Sequence, residues 1–205
     1  MASSSETRSH GQDDEKPFTA PPELTELVYI IIDGNRYLRE TIKNALYAYG
    51  MRNVVEVDDG IAALKVLQNT RIDVILVNYE LPLMTGIDFT MRVRRCEDIP
   101  DPEILLIMLS NSSEKGKIIA ARNAGVHEFL AKPFSPQTLY KHIRTNIFNP
   151  RKFLRTETYV GPDRRWENAG SPDGVERRKG HGYYTPAEFP FTKNYRGLRP
   201  LAHAP

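Results

Sequence analysis

Four polar side chains of different chemistry each follow a short apolar run in this sequence. Asp33 follows LVYIII, Asn78 follows DVILV, Ser110 follows EILLIML and Lys132 follows HEFLA. A carboxylate can bind a metal ion or attack an electrophile, and a lysine can pair with an anion. The amide Asn78 has no nucleophilic or charged group at neutral pH. Polar residues at strand ends most often only begin loops, so these four have a shared function only if the fold brings them together.

The elements that would position these side chains alternate along the chain. Five short apolar runs, too short for helices, are predicted to be buried strands, and a segment with helical periodicity follows each one. In the last helix Ser135 is well placed as the N-cap and Pro136 as the first helical residue. This alternation predicts an α/β fold, a flavodoxin-like (βα)5 three-layer sandwich with a parallel sheet in the order 2-1-3-4-5. In such a sheet the functional residues lie at the carboxyl ends of the strands.

Composition divides the chain of 205 residues into three parts. Residues 1–24 are polar and aperiodic and are predicted to be disordered, residues 25–150 form the predicted domain, and residues 151–205 form a basic, largely irregular tail. No apolar run approaches the roughly 18 residues of a membrane-spanning helix, and the first residues lack the apolar segment of a secretory signal. The single cysteine, Cys96, excludes an internal disulfide framework. A cytoplasmic protein without membrane insertion is therefore expected.

The tail has its own charge pattern. Residues 151–205 contain 11 Lys or Arg against 6 Asp or Glu, and a GPDRR segment is followed thirteen residues later by GVERR. The candidate interaction residues are its arginine pairs: Arg164, Arg165, Arg177 and Arg178. Three roles remain open for this tail: a disordered peptide that docks on a partner, a segment that packs back on the domain, or a nucleic-acid contact. Acidic residues interrupt the positive charge, which disfavours nucleic acid.

Residues from about 27 to 148 resemble the receiver domain of bacterial two-component response regulators. The resemblance rests on five motifs in the order of the chain: IIIDGNRYLR, VILVNYELPLMTGID, ILLIMLSNSS, AARNAG and FLAKPF. It implies a pocket in which an aspartate accepts a phosphoryl group beside Mg²⁺, at the carboxyl end of the third strand. The chain departs from that pattern at two of the three acidic positions.

The resemblance assigns the metal-binding and phosphoacceptor positions as follows. Asp33 matches the first of two adjacent acids that hold Mg²⁺, but Gly34 occupies the second position. Asn78 occupies the place of the phosphoacceptor aspartate. Glu80 lies where the family supplies a metal ligand through a backbone carbonyl, so Asp33 and Glu80 are the only candidate residual metal contacts. We therefore expect no cofactor, with Mg²⁺ binding weak or absent, and no catalytic residue.

The remaining positions match the family. Ser110 corresponds to the hydroxyl residue that hydrogen-bonds the phosphoryl group, and Lys132 to the lysine that pairs with its oxygens. Pro133 follows that lysine, usually across a cis peptide bond, and Phe129 corresponds to the aromatic residue that rotates during switching. In the absence of phosphate, Asp33 and Lys132 are predicted to form a neutral pair with Asn78 and Ser110 as hydrogen-bond partners. A fixed conformation follows from this arrangement.

The sequence thus favours a degenerate receiver, or pseudo-receiver, that is not an enzyme. It would act in two-component phosphorelay signalling through protein–protein contacts that need no phosphorylation. The expected partners are a histidine kinase, another response regulator or a regulatory target. The expected contact face, which would also serve a homodimer, is made by the fourth helix, fifth strand and fifth helix. The alternatives are a phosphoacceptor that uses a substitute residue and a nucleic-acid-binding regulator that acts through the tail.

Overall fold

The computed structural model describes residues 19–164 and 183–184. Its main sheet has five parallel strands in the order β2-β1-β3-β4-β5, which confirms the predicted topology. The carboxyl ends of β1, β3, β4 and β5 are therefore neighbours along one edge. The strands are β1 (Tyr29–Ile32), β2 (Val54–Val57), β3 (Val74–Asn78), β4 (Leu105–Ser110) and β5 (Glu128–Ala131).

A helix follows each of these strands, and a short helix precedes the first one. The fourth and fifth helices of the predicted alternation are α5 and α6, because the short N-terminal helix takes the label α1. Within the described residues the helices are α1 (Pro22–Thr25), α2 (Arg36–Tyr47), α3 (Gly60–Asn69), α4 (Gly86–Arg95), α5 (Lys115–Ala124) and α6 (Pro136–Phe148).

Side-chain caps fix where several helices begin. Asn35 caps α2, since its Oδ1 accepts hydrogen bonds from the backbone amides of Tyr37 and Leu38. The predicted cap of α6 is confirmed, because Ser135 accepts from the amide of Thr138. The carboxyl end of α5 is fixed by Gly125, which has φ 101°, a left-handed conformation that glycine adopts without steric cost.

The sheet separates two hydrophobic clusters. The first contains the buried faces of α1, α2 and α6, and the second contains those of α3, α4 and α5. Every residue of β1, β3 and β4 is buried, as expected for parallel strands covered on both faces. The rigid sheet thus positions the residues that follow its strands.

The predicted boundary of the N-terminal disordered segment requires a correction. Residues 19–24 belong to the described fold, and Ala20 and Leu24 are buried in the first cluster. The backbone amide of Ala20 donates to the carbonyl of Tyr49, and the hydroxyl of Tyr29 donates to the carbonyl of Leu24. The prediction failed here because one buried leucine in a four-residue helix leaves no periodic signal.

The predicted start of an irregular tail at residue 151 also requires a correction. β6 (Phe153–Arg155) and β7 (Val160–Pro162) form an antiparallel hairpin, and the backbone of β8 (Tyr183–Tyr184) pairs with the other edge of β6. Phe153 is fully buried and Tyr159 nearly so. Of the three roles left open for the tail, packing back on the domain applies to residues 151–164.

Arg94 of α4 joins this hairpin to the amino-terminal edge of the sheet. Its guanidinium is buried, donates to the carbonyl oxygens of Gly125, Pro102 and Ile104, and lies 5.4 Å from the ring centre of Phe153. Burial lowers the pKa of Arg94 to about 10. Carbonyl oxygens and an aromatic ring thus solvate a buried cation, and the hairpin covers it.

His127, which directly precedes β5, lies in the same region. Its Nδ1 is 3.1 Å from the backbone nitrogen of Leu106, which donates to it, and 3.2 Å from the guanidinium of Arg94. Burial lowers the pKa of His127 well below its usual value, and the charges of Arg94 and Arg151 lower it further. The histidine is therefore neutral in the folded protein.

Within the described residues, no helix is long and apolar enough to span a bilayer.

Candidate functional site

Three of the predicted site residues meet at the carboxyl edge of the sheet. Asp33 follows β1, Asn78 ends β3 and Lys132 follows β5. The ammonium nitrogen of Lys132 lies 2.8 Å from Oδ2 of Asp33 and donates to Oδ1 of Asn78 at 3.2 Å. All three are largely buried, with 3% of the Asp33 side chain and 9% of the Lys132 side chain exposed. The arrangement is an ion pair with an amide as the second acceptor.

The amide of Asn78 is held at both of its polar atoms. Its Oδ1 accepts from Lys132, and its Nδ2 donates to the backbone carbonyl of Glu80 at 2.7 Å. A carboxylate at this position has no proton to donate to that carbonyl, so the contact is specific to the amide. It also fixes which end of the amide faces the lysine.

The side chain of Glu80 points away from the ion pair. It is 72% exposed, and its Oε1 lies 3.5 Å from the ammonium of Lys117 in the first turn of α5. Lys117 also lies 5.2 Å from the ring centre of Tyr79. Glu80 is thus an exposed loop residue with a surface partner, and the sequence alone did not identify Lys117.

Both carboxylate oxygens of Asp33 already have partners. Oδ2 pairs with Lys132, and Oδ1 accepts from the backbone amide of Asn35 at 2.9 Å. The backbone carbonyl of Asp33 accepts from Arg39 at 2.7 Å. Arg39 was missed by sequence reasoning, although its place one turn into α2 puts it within reach of the end of β1.

Gly34 lies against a proline ring. A Cβ built on Gly34 would lie 3.1 Å and 3.2 Å from Cγ and Cδ of Pro82. These separations are tighter than ordinary van der Waals contact, so any side chain here requires the ring to shift by a few tenths of an ångström. The loop that holds Pro82 is thus packed onto the space where a second acid would begin.

Ser110 and Phe129 lie near the ion pair without joining it. The hydroxyl oxygen of Ser110 accepts from the backbone amide of Ser112 at 3.1 Å, and its carbonyl accepts from the amide of Lys132 at 2.7 Å. Among the described residues no hydrogen bond links the Ser110 hydroxyl to Asn78 or Lys132, contrary to its predicted place in the network. Phe129 is half-buried against the second cluster, and the Lys132–Pro133 peptide bond is cis.

The donor set fits Mg²⁺ poorly. This ion prefers near-octahedral oxygen coordination, with one or two carboxylates and several waters. Of the two candidate metal contacts, Asp33 has both carboxylate oxygens engaged, and the backbone carbonyl of Glu80 accepts a hydrogen bond from Asn78. No group of three or more His, Cys, Asp or Glu suited to a metal ion occurs among the residues that the structure describes.

Only one of the four predicted tail residues is described. Arg164 donates to Oδ1 of Asn123 on α5 and lies 4.1 Å from the ring centre of Tyr159. It therefore contacts the domain rather than pointing into solvent alone. The other three lie outside the described residues: Arg165, Arg177 and Arg178.

Comparison with known proteins identifies the family. The response regulator receiver domain model matches residues 29–144, more than half of the chain. The chemotaxis protein CheY of Pseudomonas aeruginosa is 35% identical over 114 residues, which cover 56% of this chain and 90% of CheY. CheY1 of Helicobacter pylori (strain 26695) is 33% identical over 111 residues, 54% of this chain and 88% of CheY1.

Solved structures of receiver domains have the same fold as this chain. The receiver domain of sensor histidine kinase PA1611 from P. aeruginosa, which has a magnesium ion in its active-site cleft, superposes with a TM-score of 0.54 at 27% identity. That match covers 60% of this chain and 98% of the other. Chemotaxis response regulator CheY4 of Vibrio cholerae gives a TM-score of 0.51 at 28% identity, over 58% and 97% of the two chains. This chain belongs to the response regulator receiver domain family, with a CheY-like receiver as its folded unit.

Proposed function

We propose that this receiver domain works as a pseudo-receiver, a protein-interaction module that needs neither phosphorylation nor Mg²⁺. The observation that carries the proposal is the pairing of Lys132 with both Asp33 and Asn78. The lysine that pairs with phosphoryl oxygens in the family has two protein acceptors here. The charges of Lys132 and Asp33 cancel, and the hydrogen-bonding groups of the site are paired with one another.

The chemistry of the phosphoacceptor position supports this proposal. An acyl phosphate forms by attack of a carboxylate oxygen on phosphorus, and a carboxamide is not a nucleophile of that kind. Asn78 occupies the acceptor position and Gly34 removes one carboxylate from the metal site. With Asp33 and Lys132 as the only charged pair, no like-charge repulsion remains that a cation would have to relieve.

Protein partners follow from the same reasoning. A receiver that is not switched by a phosphoryl group keeps one conformation of its contact surface. Its signal then depends on the presence and location of the protein rather than on a change of conformation. We assign the contact surface to α5, β5 and α6, whose exposed residues include Ile118, Ile119 and Phe148. The proposed partners are histidine kinases, other response regulators and regulatory targets. A second copy of the chain is a further proposed partner, in a homodimer. The protein is not an enzyme in this account.

The test is to capture partners on the immobilised chain under three conditions: no additive, a small phosphodonor with Mg²⁺, and a chelator. The proposal predicts the same partner proteins at equal recovery in all three, as measured by quantitative mass spectrometry. Partners that bind only after treatment with the phosphodonor, or that dissociate on chelation, would overturn it. A variant with Ile118→Glu and Ile119→Glu should lose them, and Tyr37→Glu, at an exposed position of α2 outside this surface, is the control.

A further inference from the structure

The α3–α4 groove, which is lined by residues of α3, α4 and the loop that precedes α4, has an exposed apolar lining. Its volume is about 640 Å³. The apolar lining residues are Ile61, Leu83, Met84 and Met91. Ile61 is 44% exposed and Leu83 is 81% exposed, although both are large aliphatic residues. Exposed apolar residues that line one surface in this way indicate a site of protein–protein contact.

The loop between β3 and α4 holds Leu83 in a backbone conformation that its side chain disfavours. Its φ is 68°, and among the described residues it is the only one besides glycine with a positive φ. An antiparallel bridge between Glu80 and Thr85 closes the loop around it. The described fold therefore maintains an unfavourable conformation and leaves most of the leucine side chain exposed. Such conformations cluster at functional sites, and the feature that this one presents is an exposed leucine beside the α3–α4 groove.

The sulfur of Met84 lies against the start of α3, at Gly60. A Cβ built on Gly60 would lie 2.6 Å from Sδ and 3.0 Å from Cγ of Met84, which is too close for a side chain to fit. The absence of a side chain at Gly60 thus lets the methionine pack directly on the helix. This contact joins the loop that carries Leu83 to the helix that carries Ile61, so the two exposed residues belong to one packed surface.

The charged residues of the lining already have contacts within the chain. The hydroxyl and the backbone amide of Thr85 donate to the carboxylate of Asp88. These hydrogen bonds lower the pKa of Asp88, and the charge of Arg92, one turn further along α4, lowers it further. Arg95 donates to the carbonyl of Thr158 in the hairpin at 3.1 Å. The charges that a charged ligand would need are therefore engaged, whereas an uncharged apolar surface can cover the groove without burying a charge of its own.

The same face of a second copy provides an uncharged apolar surface of this kind. A two-fold contact between identical subunits brings the same patch of both together. This patch carries a highly exposed leucine, Leu83, and the groove beside it, so each copy can supply the side chain that fills the groove of the other. Asp88 and Arg92 lie in the same lining, so their opposite charges limit the repulsion between two identical patches.

We infer that this chain forms a two-fold dimer through the α3–α4 groove. In this dimer Leu83 of each copy enters the groove of the other copy and packs against its Ile61 and Met91. None of the lining residues of the groove belongs to α5, β5 or α6. The dimer thus goes beyond the proposed function, because it joins two receivers without using the surface proposed for other partners.

Sedimentation velocity of the full chain at increasing protein concentration tests the dimer. The wild type should pass from monomer to dimer, and Leu83→Asn should raise the dissociation constant at least several-fold. Asparagine adopts the left-handed conformation more readily than leucine, so this variant should not lose stability in urea. Tyr37→Asn is the matched control, because Tyr37 is 79% exposed and lies on α2, outside the groove. It should leave the dissociation constant unchanged.

Ile61→Glu is a second variant that keeps the monomer folded. Ile61 lies in the first turn of α3, where an acid interacts favourably with the helix dipole. In the dimer the new carboxylate would be buried against Leu83 of the partner subunit without a charged partner. This variant should therefore also raise the dissociation constant at least several-fold.

The reaction of Cys96 with an aromatic disulfide reagent locates the interface. Cys96 is the only cysteine of the chain, lines the groove and is exposed in the single copy. Its reaction rate should fall as the wild-type chain is concentrated, because the second copy covers the groove. The rate should not depend on concentration over the same range in Leu83→Asn.

Three results would overturn the inference. The first is a chain that stays monomeric at every concentration measured. The second is a dimer that Leu83→Asn and Ile61→Glu leave intact, and its loss in the variant Ile118→Glu/Ile119→Glu would place the interface on α5, β5 and α6 instead. The third is a dimer in which the reaction rate of Cys96 is the same as in the monomer.

Discussion

The ammonium of Lys132 pairs with the carboxylate of Asp33 at 2.8 Å inside the pocket, with less than a tenth of either side chain exposed. The same ammonium donates to Asn78 at 3.2 Å. A buried charge pair is stable when both members are present and further hydrogen bonds satisfy them, as the amide of Asn35 does for Asp33.

Lys132→Met should destabilise the domain by about 3–5 kcal/mol, because it leaves the buried carboxylate of Asp33 without its partner. Urea denaturation measures the loss. Adding Asp33→Asn to Lys132→Met removes the unpaired charge and should recover most of the stability. If the single variant were as stable as the wild type, the pair would contribute nothing to the folded state.

Asn78→Asp alone should not restore efficient phosphorylation. The substitution supplies a nucleophile, but Gly34 still leaves the metal site one carboxylate short. Labelling by a small phosphodonor with Mg²⁺ should increase in the double variant Asn78→Asp/Gly34→Asp, to the extent that the ring of Pro82 yields to the new side chain. Fast Mg²⁺-dependent labelling of Asn78→Asp alone would show that Gly34 is not limiting.

The free energy of unfolding should fall as the pH is lowered through about 6.5. The pKa of His127 lies well below its usual value in the folded state, chiefly because of burial. Between these two pKa values the unfolded chain takes up a proton that the folded chain does not, so acid favours unfolding by up to about 1.4 kcal/mol per pH unit. Urea titrations at several pH values from about 7.5 to 5.5 measure the slope.

His127→Asn is the matched control for this slope, because its side-chain oxygen can still accept from Leu106 but does not titrate. Asp101 and Glu103 lie nearby with pKa values raised by burial, so they give the opposite dependence, at the lower pH where carboxyls titrate. A variant whose slope equals that of the wild type would exclude His127 as the source.

Phe153→Ala should cost about 3–5 kcal/mol, as expected for a fully buried phenylalanine. Its ring covers the guanidinium of Arg94, so the substitution also exposes a buried cation to an empty space. Phe148→Ala, at a residue that is 43% exposed, is the matched control and should cost much less. Equal small losses in the two variants would mean that the hairpin does not contribute to the stability of the domain.

The main sheet could be predicted from the sequence because its strands are short, β-branched and buried on both faces. Runs such as VILVN and LLIMLS are fully buried in the structure. The residues at their carboxyl ends then follow from topology alone. The grouping of Asp33, Asn78 and Lys132 was therefore predictable once the strand order was assumed.

Contacts that depend on side-chain reach could not be predicted in the same way. The hairpin has strands of three residues with mixed polarity, and the burial of Phe153 is explained only by its packing on Arg94. The hydroxyl of Ser110 turns to the backbone of Ser112 rather than to the lysine, a choice that strand periodicity does not encode. Leu83 likewise has a positive φ, a conformation that a leucine side chain does not favour.

Intact mass measurement of the wild-type chain after incubation with a small phosphodonor and Mg²⁺ tests the central claim most directly. The account predicts no mass increment of a phosphoryl group, since the acceptor position holds an amide and Lys132 is paired with Asp33. A CheY protein treated in parallel shows that the reagent is active. Stoichiometric addition of one phosphoryl group to the described domain of this chain would contradict the account.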